Sequence, residues 1–289
     1  MPAEQHEADL LVGGAMTRLK SEKYEIDQTD HLRREIVGEW SPDKHARLRR
    51  YVDITYATRR KYDKSGSTYI DLYCGPGRAR TRESSEVVDG SPLVAAIEAA
   101  RHAPFTSLHI GDLDGENVTA CATRLERLKV PTRTYVGGAA ETAASVVGNL
   151  NAYGLHLAFL DPYSISALPF SVLSTLGAVK RMDLLIHVSV MDLQRNARLF
   201  MENGVMESFA PGWSKVVHRG TKNAALVPDL FRHWRSLLES LGYKVSDSIE
   251  RVTGSKNQPL YLLVLAARHD IADKFWTQVS NVEPQGRLI

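Results

Sequence analysis

Residues 68–77 constrain this chain more than any other stretch. Thr68-Tyr69-Ile70 is apolar and β-prone, and Asp71-Leu72-Tyr73-Cys74-Gly75-Pro76-Gly77 follows without a break. The pattern predicts a buried strand that runs into a glycine turn. Glycine reaches backbone conformations closed to other residues and lets a ligand come close to the main chain. At the end of a strand in an open α/β sheet, such a turn lies at the carboxyl edge, where nucleotides bind.

The segments that follow fit that frame. Residues 107–110, 132–136, 155–160 and 184–190 read as strands, with helical patterns between them. Alternation of this kind predicts a parallel sheet covered by helices on both faces. Near the end, 243–245, 249–252 and 260–267 are strand-like, with a turn at 254–258. They predict an antiparallel hairpin closing the sheet, before a last helix with Ile271, Phe275 and Trp276. The predicted fold class is therefore α/β, Rossmann-like and mostly parallel. Residues 1–30 read as a flexible N-terminal segment and 31–289 as one domain. That domain carries an N-terminal helix and a helical insertion at about 191–241, with a regular helix from Asp229 to Leu241.

Two helix starts stand out. Ser41-Pro42-Asp43 predicts Ser41 as cap and Pro42 as the first helical residue; Ser91-Pro92 repeats the arrangement. The first helix places Leu48, Val52 and Tyr56 on one face and Arg47, Arg49, Arg50, Arg59, Arg60 and Lys61 on another. Such a run is commonly a solvated face, and its functional alternative is a contact surface for an acidic substrate or partner. Between the glycine turn and Ser91, residues 78–89 are polar and charged. They read as a loop over the carboxyl edge, a candidate lid.

Composition narrows the compartment and the partners. The net charge is only +2, so no strong polyelectrolyte partner is implied, although a local basic face remains possible. The only cysteines, Cys74 and Cys121, cannot build a disulfide framework and fit a reducing cytosol. No apolar run is long enough to span a bilayer, and no signal-peptide layout opens the chain. The reading is a soluble cytoplasmic protein. His187, inside an apolar strand, reads as a core histidine bonded to backbone; His109 packs against a helix; His31 and His45 lie on polar faces. No cluster has metal-ligand spacing.

Two familiar nucleotide motifs fail at the glycine turn. The dinucleotide fingerprint needs a third glycine where Arg80 stands, and the P-loop needs a Gly-Lys-Ser/Thr that does not follow. What remains, D-x-aromatic-x-G-x-G, resembles the cofactor turn of class I S-adenosylmethionine-dependent methyltransferases, particularly those acting on nucleic-acid bases. By that resemblance Asp71 would accept from the amino-acid end of S-adenosyl-L-methionine or from a bridging water, and Gly75 and Gly77 would pass under its methionine portion. Asp112 would take the ribose hydroxyls, with Asp114 as a near alternative or a helix cap. Gly137-Gly138-Ala139 would offer adenine only backbone. Asp161-Pro162-Tyr163 resembles the D/N-P-P-Y motif of amino-methyltransferases, in which the acid or amide holds an amine and the ring stacks on the base.

The order of landmarks is similar to the three-Cys-motif partner protein family (TcmP). These are the helix from Ser41 with Lys44, Y-I-D-L-Y-C-G-P-G at 69–77, D-G-S-P-L at 89–93, F-L-D-P-Y at 159–163 and P-L-Y-L-L-V-L-A-A-R-H at 259–269. The resemblance covers about residues 35 to 280. It implies a methyltransferase-like fold, S-adenosyl-L-methionine as cofactor, and association with a separate three-cysteine-motif protein. The implied cofactor residues are Asp71, Tyr73, Gly75, Pro76, Gly77, Ser91 and Asp112; Asp161, Pro162 and Tyr163 are the implied catalytic set. The expected activity is methyl transfer with nucleic acid, DNA or RNA, as acceptor; a non-catalytic docking module for the partner is the alternative.

Overall fold

Five consecutive buried residues, Ser67–Asp71, make the central strand, so both of its faces are covered. The computed structural model describes residues 23–38, 41–217, 223–246, 250–253 and 259–280. The strands are β1 (Tyr24–Ile26), β2 (Arg33–Val37), β3 (Ser67–Asp71), β4 (Arg78–Thr81), β5 (Val87–Asp89), β6 (Ser107–Asp112), β7 (Thr132–Val136), β8 (Leu155–Leu160), β9 (Met182–Val188), β10 (Lys244–Val245), β11 (Glu250–Thr253) and β12 (Pro259–Ala267). The helices are α1 (Ser41–Ile54), α2 (Tyr56–Arg60), α3 (Ser91–Ala100), α4 (Gly115–Arg127), α5 (Ala139–Gly148), α6 (Phe170–Gly177), α7 (Val190–Glu202), α8 (Val205–Phe209), α9 (Asn223–Ser240) and α10 (Asp270–Ser280).

The main sheet runs β7-β6-β3-β8-β9-β12-β10, and β11 also pairs with β12. From β7 to β9 all neighbours are parallel; β12 is antiparallel to β9, β10 and β11. This is the Rossmann-like, mostly parallel sheet with an antiparallel C-terminal hairpin that the strand pattern predicts. Period-two alternation divides the core. Tyr69, Leu157, Phe159, Leu185 and Leu263 pack with α1, α3 and α10. Ile70, Ala158, Leu160, Ile186 and Val264 pack on the other face with α6, α7 and α9, around Trp234. The strand order reverses beside β3, because β6 follows on one side and β8 on the other. That switch point is where an open sheet leaves room for a ligand.

Two expectations are corrected. Residues 78–89 are not an unstructured lid: β4 and β5 form a hairpin in a second, four-stranded sheet ordered β1-β2-β4-β5. Arg78 and Arg80, among the charges that made this stretch read as a loop, form ion pairs with β1 and the turn that follows it. Arg80 pairs with Glu25 at 2.7 Å, and Arg78 with Asp27 and Asp30 at 3.2 Å each. Thr81 closes the turn by accepting from the Glu86 amide at 2.9 Å. For the same reason the N-terminal segment is structured from β1 onward rather than from residue 31. Asp27 has no exposed surface and sits at about pKa 2: burial would raise its carboxyl, but hydrogen bonds from Thr29 and Arg78 lower it further.

Smaller differences concern the helices. Gly90, not Ser91, is the N-cap of α3. Asp114 proves to be the cap of α4, accepting from the Glu116 amide. In the inserted segment, α9 starts six residues before Asp229 and contains Pro228. His218, Arg219, Lys222 and the turn at 254–258 lie outside the described residues.

Candidate functional site

The glycine turn is built from below by a buried carboxylate. Asp71, fully buried at the end of β3, accepts from Ser91 Oγ at 2.6 Å, Tyr69 Oη at 3.1 Å and the Tyr73 amide at 3.1 Å. Burial pushes its carboxyl up to about 7 despite these donors. With no exposed surface and three internal donors, Asp71 shapes the turn from below. Ser91 serves Asp71 in the same way. Gly90 donates to Gly77 O at 2.9 Å, and a Cβ on Gly90 would come within 3.0 Å of the Gly77 carbonyl carbon. The D-L-Y-C-G-P-G and D-G-S-P segments are thus two halves of one interlocked structure.

The two glycines of the turn have different jobs. Gly77 has φ +81°, and a Cβ there would lie 2.9 Å from Leu93 Cδ1 and 3.0 Å from Cys121 Sγ. Its bareness lets α3 and α4 pack against the turn, not a ligand. Gly75 has φ +53°, and a Cβ there would meet only Glu35 Oε2, at 3.7 Å. Its amide donates to Asp112 Oδ2 at 3.1 Å. Gly75 is therefore the position at which something outside the domain can approach the main chain. Pro76 gives its carbonyl to Arg124 Nη1 at 2.6 Å, and Arg124 also pairs with Asp30 at 2.7 Å and reaches Arg33 O at 2.8 Å. One buried arginine so ties the turn to the small sheet.

Asp112, at the end of β6, is partly exposed beside that turn. Its other oxygen accepts from the Asp114 amide at 2.9 Å and Asn117 Nδ2 at 3.3 Å. Exposed apolar residues flank the same edge: Leu113 is 73% and Val136 63% exposed. Gly137, in the left-handed region at φ +142°, leads into Gly138, the N-cap of α5. Glu141, in the first turn of α5, lies against both glycines, so an acid does stand beside that loop.

At the end of β8 the structure departs from the amine-holding arrangement. Asp161 forms an ion pair with Lys44 Nζ of α1, and its Oδ1 lies 2.8 Å from His187 Nδ1 of β9. Burial alone would raise the Asp161 carboxyl, but Lys44 and His187 hold it well below the usual carboxylate range. His187 is thus not bonded to backbone as expected; it faces Asp161 and meets the Tyr261 ring edge-on at 4.2 Å. Pro162 is buried and Tyr163 is 79% exposed. The loop between them and α6 is held by Asp192, which accepts from Ser164 Oγ at 2.7 Å and the Ile165 amide at 3.0 Å. Tyr73 Oη donates to Ala167 O at 2.6 Å, which spans the glycine turn and this loop.

Glu35 of β2 completes the edge. It faces Gly75, and Lys23 Nζ lies 3.6 Å from its carboxylate. Burial raises its carboxyl, with Lys23 and Lys44 opposing. Nothing in the local sequence marks Glu35, because the contact is made between two sheets. His187 was readable: β8 and β9 pair Leu160 with Ile186, so Asp161 and His187 follow in register on neighbouring strands.

The basic helix is only partly available to an acidic substrate. Arg49, Arg50, Arg60 and Lys61 are exposed, as are Arg195, Arg198 and Lys215 in the inserted segment. Arg59 is buried, Lys44 is taken by Asp161, and His45 is buried, with its pKa pushed down to about 3 by burial. Among the described residues no helix is long and apolar enough to cross a membrane, and no group of three metal-ligating side chains gathers.

The class that strand order and register define is the Rossmann-like α/β fold. No family model matches the chain, and no curated protein matches its sequence. The solved structures similar to it include a protein of Legionella pneumophila, with TM-score 0.48 and 10% identity over 78% of this chain and 85% of that one. TYW2 of M. jannaschii in complex with AdoMet gives 0.42 and 10% over 85% of each chain. Cofactor-bound Rv0187 from MTB gives 0.46 and 11% over 90% of each chain.

Proposed function

We propose that this protein is an S-adenosyl-L-methionine-dependent methyltransferase that acts on nucleic acid together with a three-cysteine-motif partner protein. The observation that carries the reading is the gathering of Gly75, Asp112, Glu35 and the 161–163 segment at one switch point. Gly75 is open where Gly77 is closed, Asp112 follows the second strand of the unit, and Leu113 and Val136 give an exposed apolar flank for a flat ring. These residues suit a nucleoside with a charged amino-acid tail, with Glu35 rather than Asp71 facing the ammonium group. When bound, the cofactor supplies an electrophilic sulfonium methyl. The chain's own task is then orientation, which can account for much of a displacement rate. Tyr163 would stack on the acceptor, and Asp161 with His187 would fix its edge. Arg49, Arg50, Arg60, Lys61, Arg195 and Arg198 would meet phosphates, which position a nucleic acid without reading its sequence.

The test is calorimetric titration with S-adenosylmethionine and S-adenosylhomocysteine, followed by labelled methyl transfer onto total tRNA or DNA with and without the partner. Binding that Asp112→Ala weakens at least tenfold supports the reading; no binding refutes it. One observation favours the docking alternative: Asp161 is already paired with Lys44 and lies against His187, so its carboxylate is not free for an amine. Cofactor binding and stable co-purification with the partner, without transfer to any acceptor, would select that alternative.

A further inference from the structure

The opposite, amino edge of the main sheet holds a second cleft. Its cavity volume is about 50 Å³, and it opens to solvent. Tyr51, Phe105, Leu157 and Phe275 give it apolar walls, and Arg59 and Asp183 also line it. It is remote from the carboxyl edge: His156 and Asp161 are separated by five residues of extended chain, about 16 Å.

Both charged residues are left incompletely satisfied. Asp183, at the start of β9, accepts one hydrogen bond among the described residues, from Tyr51 Oη at 3.1 Å. Burial raises its carboxyl to about 6. Arg59 is 3% exposed; its Nε gives to Ala103 O at 3.0 Å, and its Nη1 to Val52 O at 2.6 Å and Thr55 Oγ1 at 2.8 Å. Its Nη2 is buried without a hydrogen-bond partner, and no carboxylate forms an ion pair with the guanidinium among the described residues. A buried donor without an acceptor is costly and uncommon. Apolar walls with a few convergent polar groups are the usual make-up of a small-molecule site. His156 adds no anchor, because it follows Leu155 and precedes Leu157, so its side chain lies on the other face of β8.

We propose that this cleft binds a small aromatic molecule with an ammonium group facing Asp183 and a carboxylate or carbonyl facing Arg59. The ring lies between Tyr51 and Phe275 beside Phe105, over whose ring the Arg59 guanidinium is placed at 4.9 Å; the cation faces Asp183, and the acceptor end faces the Arg59 guanidinium. The site is independent of the methyl-transfer reading and involves none of its residues.

The full chain is titrated with 4-(aminomethyl)benzoate, benzylamine and benzoate by calorimetry. The two-ended probe is expected to bind at least tenfold more tightly than either half. Asp183→Asn is expected to weaken the two amines at least tenfold, leaving benzoate and S-adenosylhomocysteine unchanged. On the unaltered protein, nuclear Overhauser contacts from the two-ended probe should fall on Phe105, Leu157 and Phe275. No saturable binding, equal affinities for the three probes, insensitivity to Asp183→Asn, or contacts at Gly75 or Tyr163 instead would each overturn the proposal.

Discussion

Replacing each glycine of the turn with alanine separates packing from ligand approach. At Gly77 the new Cβ would lie 2.9 Å from Leu93 Cδ1, 3.0 Å from Cys121 Sγ and 3.1 Å from Cys121 Cα, the last being backbone that cannot swing aside. Overpacking of that kind costs about 1–3 kcal/mol, and left-handed φ costs a non-glycine residue about 1–2 kcal/mol more. A stiffer unfolded chain returns about 0.4–1 kcal/mol. Gly77→Ala should therefore lose about 1–5 kcal/mol. At Gly75 only the φ cost applies, because nothing but Glu35 Oε2 comes within 4 Å, so Gly75→Ala should lose less than about 2 kcal/mol. Urea unfolding with a common m value reads both. Calorimetry with S-adenosylhomocysteine then asks the second question of the folded protein. Gly75→Ala should bind it at least tenfold more weakly while remaining folded. Equal stability losses in the two variants would refute the packing argument. Unchanged affinity in Gly75→Ala would remove this glycine from the site.

Further outcomes follow from the carboxylates and the small sheet. Because the folded-state pKa of Asp71 lies near 7, above its unfolded value, its contribution to stability falls as pH rises from about 4 to about 7 and then levels. In urea midpoints measured from pH 4 to 8, the difference between the parent and Asp71→Asn should follow that curve; a flat difference would contradict it. Ser91→Ala removes the 2.6 Å donor to that carboxylate and should cost about 1–3 kcal/mol by urea unfolding. Arg124→Met strips the buried partner from Asp30 and should cost about 3–5 kcal/mol, with limited proteolysis opening first within residues 23–37. Tyr163→Ala, on an exposed ring, should change stability by less than about 0.5 kcal/mol while lowering methyl transfer to the acceptor at least tenfold.

Much of the fold was legible because it is written with short periods. The strands β3, β6, β7, β8 and β12 carry their own apolar patterns, and the glycine turn and the Ser91-Pro92 step are local chemistry. The reading of 78–89 as a lid failed for an equally physical reason. A strand one of whose partners, β2, is far away in sequence, and whose Arg78 and Arg80 are spent on ion pairs with Asp27 and Glu25, has the composition of a loop. Within the site, the positions of Asp112 and Asp161 were readable as strand ends, whereas their bonding was not. The acids at Asp71 and Asp161 proved to be engaged by Ser91, Tyr69, Lys44 and His187; strand register brings His187 beside its acid, whereas Ser91 and Lys44 come from helices that no local spacing joins to theirs.

By itself, the sequence determined most strands of the main sheet, where the chain turns sharply, and that the turn stands at the carboxyl edge of a parallel sheet. These follow from backbone freedom and apolar periodicity, which act over a few residues. Only the tertiary structure decided which glycine is closed by helices and which is open, that Glu35 rather than Asp71 faces the turn, and that Arg124 binds a second sheet to it. Those outcomes depend on which distant groups share a buried volume. Burial is also what raises the Asp71 carboxyl while a lysine and a histidine lower that of Asp161.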